Sequence, residues 1–428
     1  MNRELLEFIQ QSPTAYHAVA SASARLLEAG FTELNETEKW EIKAGGSYFT
    51  TRNGSSLIAF RIPEEPFDCY MMTASHGDSP CFKIKERAER GHDGYVSLSA
   101  EGYGGMLCAT WMDRPLSVAG RVAVKCGDRI SLRLVDLREP VALMPSVAIH
   151  MNREANEKAR FDAATDMQPL FRDMNGGTPD FAEMSSDAMD VKKEDILSTD
   201  LYLYNPQPGV SWGDYVSSPR LDDLQCAFAC LKGFLTAEKG KAATIYCLFD
   251  NEEVGSRTKQ GADSTLLFDV LDRIALARGI GQEEHARIKA NSFMVSADNA
   301  HAAHPNHGEL RDPNQTARMN GGIVIKLNAN QKYTTDAASS ALFQMICKKA
   351  EVPVQFYANR ADMKGGSTLG NISASKVSID MVDIGLAQLA MHSCFETAGA
   401  RDTEYLIRAV RSLYERSIRR EGGEISLT

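Results

Sequence analysis

The sequence predicts an α/β protein in which a mixed, largely parallel sheet is sandwiched between helices. Helix and strand patterns alternate over more than 200 residues after Asn205-Pro206, as in parallel sheets covered by helices. Apolar runs such as Thr244–Phe249 have the length of buried strands. Between residues 89 and 205, short alternating runs with glycine turns predict a β-rich module. We therefore expect residues 1–88 and 206–428 to form one domain and residues 89–205 to be inserted in it.

The first part of the chain begins with helices and continues with strands. Residues 2–30 have the pattern of two helices, the second of which ends at Gly30. Asn53-Gly54 lies between two alternating runs and predicts a hairpin with a type I′ turn. The apolar run Cys69–Ser75 predicts a buried strand that ends at His76.

The last part of the chain returns to alternating strands and helices. Asp336 to Lys349 is predicted to be a helix capped by Asp336, and the last helix is predicted from about Arg401 to Arg419. The strands are predicted at residues 244–249, 293–298, 323–326, 354–357 and 378–384. In such sheets, ligands bind beyond the carboxyl ends of the strands.

Composition restricts the class of protein. The net charge of −10 without a basic run argues against a nucleic-acid or anionic-membrane partner. No apolar stretch has membrane-spanning length, and acids occur where a signal peptide would be apolar. The nine cysteines are scattered among apolar residues, which is typical of reduced core cysteines. We therefore expect a cytoplasmic protein.

Three carboxylates, those of Asp250, Glu252 and Glu253, follow the apolar run that ends at Phe249. Carboxylates rarely cluster at the end of a buried strand for stability, because they repel one another and lose hydration. A cation or a proton-transfer reaction is the usual reason for such a cluster. A solvated acidic loop is the alternative, and the flanking apolar run and Gly255 favour the functional interpretation.

Other imidazoles and carboxylates also occur where predicted strands and loops end. They are His76, Asp78, Asp222, Asp298 and His392. Histidine and carboxylate without cysteine favour an open catalytic site for zinc, manganese or a similar divalent ion. Taken singly, each has a simpler explanation: a structural histidine, a helix cap for Asp222 or Asp298, and a turn-forming residue for Asp78. Their joint occurrence favours the metal site.

Five motifs together resemble the aspartyl aminopeptidase family, which consists of dinuclear zinc metallopeptidases. The motifs occur in the family's order and extend over nearly the whole chain, and the length resembles that of bacterial members. They are Ser75–Cys81, Ser218–Leu224, Phe249–Ser256, Ser296–Pro305 and Leu389–Ser393. The resemblance implies a sheet of the zinc-peptidase type and a hydrolase that removes amino-terminal residues from peptides.

The resemblance also implies two zinc ions in each subunit, for which cobalt or manganese can substitute. His76 and Asp298 would hold one ion, and Glu253 and His392 would hold the other. Asp222 would bridge both.

The remaining roles come from the same resemblance. Glu252 would be the general base for a water that bridges the two zinc ions, and Asp78 would orient His76. The inserted domain would be a dimerisation domain, and dimers would build a tetrahedral dodecamer. His150 would reach the active site of a neighbouring subunit, near the scissile carbonyl. From the residues alone, His150 is better explained as a buried strand histidine.

Lys326 and Tyr333 match the family's pocket for an acidic side chain, which implies removal of amino-terminal Asp or Glu from peptides. A lysine at the end of a strand is also commonly extended toward solvent. One departure concerns the glycine-rich loop, where Asn371 replaces a proline that the family often has. Loss of the fixed proline φ loosens this loop and weakens the expectation of strict acidic specificity.

Two other functions compete with this interpretation. A broader aminopeptidase, or a deacylase of N-acyl amino acids, would use the same two-metal chemistry. A non-catalytic assembly protein of the same fold would lack a metal ligand or the base, and the sequence contains all of them.

Overall fold

A computed structural model describes residues 1–428 and confirms the mixed α/β fold. The helices are α1 (Asn2–Gln10), α2 (Ala15–Glu28), α3 (Phe181–Met189), α4 (Leu221–Thr236), α5 (Leu266–Arg278), α6 (Gln282–Ala290), α7 (Ala337–Lys349), α8 (Leu369–Ala374) and α9 (Asp402–Tyr414). The strands are β1 (Thr32–Glu33), β2 (Ser47–Arg52), β3 (Ser56–Arg61), β4 (Tyr70–His76), β5 (Cys81–His92), β6 (Tyr95–Tyr103), β7 (Ser117–Cys126), β8 (Arg129–Asp136), β9 (Leu170–Asp173), β10 (Ile196–Tyr204), β11 (Val210–Trp212), β12 (Tyr215–Ser218), β13 (Ala243–Phe249), β14 (Phe293–Ala297), β15 (Ala300–His301), β16 (Ile323–Lys326), β17 (Val354–Tyr357), β18 (Asp380–Gly385), β19 (Ala387–Leu389), β20 (Glu396–Gly399), β21 (Ile418–Glu421) and β22 (Glu424–Leu427).

The main sheet has nine strands in the order β1-β2-β3-β13-β4-β14-β18-β16-β17. Five of its eight neighbouring pairs are parallel, including the central run β13-β4-β14-β18. The predicted hairpin joins β2 and β3, and Asn53 and Gly54 at its turn both have positive φ. The central strands are thus aligned so that their carboxyl ends meet at one edge.

Helices cover both faces of this sheet, because its central strands are apolar on both sides. Leu57 and Ala59 of β3 pack in the core formed with α1, α2, α4, α7 and α9. Ile58 and Phe60 of the same strand pack in the core formed with α5, α6 and α8. The alternation follows from the two-residue period of a strand.

A separate antiparallel sheet has the order β8-β7-β10-β5-β6-β9 and its own apolar core. It extends along the chain from Cys81 to Tyr204. The predicted boundary at residue 89 falls inside β5, and the division into two domains stays a prediction. β8 is an edge strand and pairs only with β7.

The carboxyl terminus differs from the prediction. The last helix, α9, ends at Tyr414, and residues after Ser417 form the hairpin β21-β22 instead of continuing the helix to Arg419. Gly422 and Gly423 form its turn with positive φ. Two backbone hydrogen bonds join Ser417 to Thr428. The turn and this pairing form a hairpin at the point where the helix was expected to continue.

None of the nine helices combines the length and apolarity needed to cross a lipid bilayer. All nine cysteines are free thiols, and six of them are buried.

Candidate metal centre

The register of the main sheet brings three predicted ligand segments together. His76 ends β4 and lies level with Phe249, the last residue of the parallel strand β13. Glu252 and Glu253 therefore follow directly beyond His76. β14 pairs with β4 on its other side, and Asp298 follows its last residue. Adjacent parallel strands thus converge on one point from distant parts of the sequence.

Asp222, at the start of α4, lies between these ligand segments. Its Oδ1 is 3.6 Å from Nε2 of His76, which is 4.0 Å from Oδ1 of Asp298. Its Oδ2 is 3.5 Å from Nε2 of His392, which is 3.4 Å from Oε2 of Glu253. The two oxygens of one carboxylate therefore face two different sets of metal-type ligands.

The donor set fits divalent metal ions. Ligand atoms of His76, Asp222 and Glu253 all lie within 4.8 Å of one another, as do those of Asp222, Asp223 and Asp298. Asp222 belongs to both groups, and its buried Oδ1 has no hydrogen-bond partner. A buried carboxylate oxygen of this kind needs a cation or a donor. The arrangement therefore provides a shared carboxylate between two candidate ion positions.

Asp78 is buried below the cluster and holds several of its members. Its carboxylate accepts hydrogen bonds from the backbone N–H groups of Glu252 at 3.2 Å and Glu253 at 3.1 Å. The hydroxyl of Tyr103 donates to it at 2.7 Å. Nδ1 of His76 lies 3.0 Å from the Asp78 carbonyl oxygen and 3.4 Å from its carboxylate. These contacts fix the His76 ring with Nε2 toward Asp222.

Burial strongly influences the charges in the cluster. Burial, reinforced by Asp298 and Asp78, raises the pKa of Glu252 to about 8 against the opposing effect of His76. Burial disfavours protonation of His392, but the Asp222 and Glu253 carboxylates outweigh it and raise its pKa to about 10. A divalent cation would favour carboxylate ionisation and release the imidazole protons. The cluster is thus an acidic, buried site that a cation would balance.

Glu396 is a buried carboxylate of the site that no sequence motif predicts. It accepts hydrogen bonds from the backbone N–H of Asp222 at 3.0 Å and of His392 at 2.7 Å. Burial raises its pKa to about 8. The only local signal is its position four residues after His392. Its contact with Asp222, 174 residues away, comes from β20 pairing with β12.

Lys326 and Tyr333 lie together at the margin of the cluster. Lys326 ends β16, is buried, and has Nζ 3.5 Å from Oδ2 of Asp298. Nζ is also 5.5 Å from the ring centre of buried Tyr333. Burial opposes a charge on Lys326, but Asp298 outweighs it and raises the lysine pKa. The site therefore contains a permanent buried cation next to a predicted metal ligand.

Three other residues, His150, Asp250 and Asn371, make no contact with the ligand atoms of the cluster. His150 is exposed in a turn of the long loop between β8 and β9, and it forms no hydrogen bond within its own chain. Asp250 is buried and accepts a hydrogen bond from the backbone N–H of Asn251. Asn371 lies in α8 and hydrogen-bonds Ser367 at 2.8 Å. A single chain thus does not bring His150 to the other predicted residues.

The fold and the donor set together define an α/β metalloenzyme. Residues 8–414 match the model of the family described as aminopeptidase I zinc metalloprotease, M18. A probable M18 family aminopeptidase 2 from Clostridium novyi is 42% identical over 423 residues, covering 96% of this chain and 98% of that protein. The protein of that name from Stutzerimonas stutzeri is 38% identical over 424 residues, covering 97% and 98% of the two chains.

Solved structures show the same relationship. A structure of the Ape4 and Nbr1 complex superposes with a TM-score of 0.92 at 34% identity, covering 97% of this chain and 85% of the other. The S. cerevisiae mApe1 dodecamer gives a TM-score of 0.84 at 27% identity, covering 97% and 96%. The chain belongs to the M18 family of zinc metalloproteases and is an aminopeptidase.

Proposed function

We propose that this aminopeptidase releases amino-terminal Asp or Glu from peptides, using two zinc ions and Glu252 as the general base. The main support for this proposal is the buried cation of Lys326, which lies beside Asp298 at the margin of the cluster centred on Asp222. A cation in that position complements an acidic side chain whose amino terminus and scissile carbonyl lie at the cluster.

The groups on the two sides of the Asp222 carboxylate support the proposed ligand sets. His76 and Asp298 lie on the Oδ1 side and would hold one ion, and His392 and Glu253 lie on the Oδ2 side and would hold the other. Such ions lower the pKa of a water and polarise a carbonyl oxygen. Cobalt or manganese can take the same ligands, because imidazole and carboxylate bind all these ions.

We propose that Glu252 moves the proton. Its backbone N–H is held by Asp78, whereas its carboxylate is not needed for either ligand set. With the metal ions present, their charge favours the ionised base. Glu252 then accepts the proton of the attacking water and delivers it to the leaving amine.

The proposed specificity depends on charge compensation. Lys326 is paired with Asp298 in the cluster, and a zinc ion on Asp298 would take over part of that carboxylate's charge. The ammonium group would then be available for a substrate carboxylate, with Tyr333 on its flank. A neutral side chain would leave the buried lysine without this partner.

Assembly completes the site in this proposal. His150 is exposed, as are its neighbours Val147, Ile149 and Met151. We propose that the inserted sheet joins two copies, so that His150 enters the partner's active site near the scissile carbonyl. The related S. cerevisiae mApe1 is a dodecamer, and we propose a tetrahedral dodecamer of dimers here.

A panel of aminoacyl chromogenic substrates with Lys326→Met tests the specificity. We expect kcat/KM for Asp and Glu substrates to fall by about 100-fold or more, and that for Leu and Ala substrates by less than tenfold, because only acidic substrates lose an ionic partner. Lys332→Met, which changes an exposed lysine in the loop after β16, is the matched control. Equal losses on all substrates, with unchanged metal content, would instead support a broad aminopeptidase or a deacylase.

The same panel with Glu252→Gln tests the base. The variant keeps the backbone N–H that Asp78 accepts, so we expect unchanged zinc content and a loss of about 10²–10⁴-fold in kcat on every substrate. Unchanged activity in this variant would refute the assignment. Two zinc ions bound per chain, measured by elemental analysis, are expected in both proteins.

A further inference from the structure

A cavity lies against one side of the metal cluster, and we call it the rear chamber. It has a volume of about 440 Å³ and lies between α2, strands β5, β7 and β10, and the loop of residues 250–260. Pockets for small molecules have this size. Asp78, Asp222 and Glu396 line it on the side of the cluster. Neither histidine of the cluster does, and the chamber shares Asp222 with the proposed active site but lacks Lys326 and Tyr333 of the proposed substrate pocket.

One wall of the rear chamber contains a guanidinium without an anionic partner. Arg220 donates hydrogen bonds only to the carbonyl oxygens of Ile9 at 3.1 Å and Asn205 at 3.5 Å. Its Nε is buried and has no hydrogen-bond partner. Its guanidinium also lies 5.4 Å from the ring centre of Tyr204. A buried arginine normally pairs with a carboxylate, so this group has unused capacity for an anion.

Another wall contains a carboxylate without a cationic partner. Asp250 is buried, and its oxygens accept only from neutral donors, the backbone N–H of Asn251 at 2.8 Å and the amide of Gln260 at 3.4 Å. The other acid that lacks a catalytic role here, Asp200, is fully paired with Lys83 and Arg121. Asp250 therefore has unused capacity for an ammonium group.

We propose that the rear chamber binds a small zwitterion with an α-carboxylate and an α-ammonium group. The carboxylate pairs with Arg220 and the ammonium group with Asp250. Tyr16, Trp111 and Tyr202 supply aromatic walls for the side chain. Free amino acids and short peptides share this chemistry, and an aminopeptidase releases both at every turnover. The inference depends on aminopeptidase activity and not on acidic specificity.

Occupancy of the rear chamber acts on turnover through its wall toward the cluster. Asp78 and Glu396 hold the backbone N–H groups of the base and of three metal-site residues. A ligand that packs against Asp78 and Glu396 from the chamber restricts the movement of these side chains during the reaction. We therefore expect it to change kcat without competing with substrate.

Isothermal titration of the zinc-loaded enzyme tests the proposal. The catalytic centre is first saturated with an amino-acid hydroxamate, which chelates metal, so that only a second site remains. Leucine, glutamate and dileucine are then titrated in separate arms, which distinguish amino acid from peptide. We expect one ligand per chain in at least one arm, and no binding of N-acetyl-leucine or leucinamide, each of which lacks one charge.

Two variants change residues on different walls of the chamber. Asp250→Asn removes the anion, and Ala15→Phe fills the space from α2. Each is expected to weaken binding by about tenfold or more, because a charge-assisted contact or the volume is lost. Ala29→Phe, exposed at the end of the same helix, is the control that leaves binding unchanged. Ala15→Phe should also abolish the effect of the ligand on kcat.

No binding to the hydroxamate-saturated enzyme would overturn the proposal. Binding that Asp250→Asn and Ala15→Phe both leave unchanged would also overturn it, as would equal affinity for the blocked compounds. Because the titration uses leucine as well as glutamate, a failed acidic preference in the substrate panel does not affect the result.

Discussion

At the scale of single residues, the metal centre is positioned largely through backbone amides. Three buried carboxylates, Asp78, Asp223 and Glu396, accept the N–H groups of five residues of the site. The donors are His76, Asp222, Glu252, Glu253 and His392. These amides lie at strand and helix ends, where regular pairing stops and side chains must satisfy them. The supporting carboxylates are therefore as much a part of the candidate site as the proposed ligands.

Glu396→Gln is expected to weaken metal retention. Both Glu396 oxygens accept an N–H, and a glutamine would oppose one of these donors with its own NH₂ group. Losing such support of metal ligands costs about 10–100-fold in metal affinity. Zinc content after dialysis against graded chelator measures the effect. Glu404→Gln, exposed on α9, should behave as wild type, and unchanged retention in Glu396→Gln would contradict the assigned role.

His17 gives a pH dependence outside the metal centre. Burial, aided by Arg220, lowers its pKa to about 4 from 6.5, against the effect of Asp136. Between these values the unfolded chain binds more protons than the folded one, so stability falls as the pH falls from 6.5 toward 4. His17→Gln should remove this loss, worth about 1–2 kcal/mol at pH 5. The unfolding midpoint of His17→Gln, relative to that of the wild type, should therefore rise from pH 7 to pH 5. A constant difference would refute it.

At the scale of elements, the position of Asp222 depends on how closely α4 packs against α9. Gly233 lies in α4 facing α9, where a Cβ would be 2.7 Å from Cγ1 of Val410 and 3.0 Å from the Ile407 carbonyl oxygen. Glycine ordinarily destabilises a helix interior. Here it allows two buried helices to approach, and the helix that begins at the metal centre is held against the carboxyl-terminal helix.

Gly233→Ala is therefore expected to destabilise the protein despite alanine's higher helix propensity. Overpacking costs about 1–3 kcal/mol, which exceeds the propensity gain of up to about 1 kcal/mol. A lower thermal midpoint in calorimetry is the measurement. Gly177→Ala, where a Cβ meets no atom within 4 Å, is the control and should leave the midpoint unchanged or higher. A stabilised Gly233→Ala would show that the helices can separate without cost.

At the scale of the whole molecule, the inserted sheet has an apolar face on its free edge. Ile130, Leu132 and Leu134 alternate along β8 and are exposed, Leu132 by 60%. An uncovered apolar edge strand is a site for pairing with another chain. Together with the exposed segment around His150, this surface supports the proposed assembly.

Leu132→Glu is expected to separate the copies joined through the inserted sheet, because it places a charge in the proposed apolar interface. Light scattering after size exclusion should show a smaller species, and Leu276→Glu on α5, 77% exposed, should not.

Mixed oligomers of His150→Ala and Glu252→Gln should regain activity that neither variant has alone, if His150 acts in the partner. No gain on mixing would contradict that role.

The sequence by itself determined the features that depend on local pattern. Apolar runs of strand length identified the central strands, and the acids and histidines at their ends predicted the ligand types, since periodicity and strand termination are local properties. The resemblance supplied the division of roles between Glu252 and Glu253. The carboxyl-terminal helix was predicted too long, because the pairing of Ser417 with Thr428 depends on a hairpin that the helical pattern did not indicate.

Only the tertiary structure decided which distant groups meet. Glu396 supports Asp222 across 174 residues, and Asp78 supports Glu252 and Glu253 across more than 170. The rear chamber lies between elements from distant parts of the chain, and Arg220 and Asp250 have unused charge only because of what the fold places around them. Such contacts depend on sheet order and register, which are set by the packing of the whole chain.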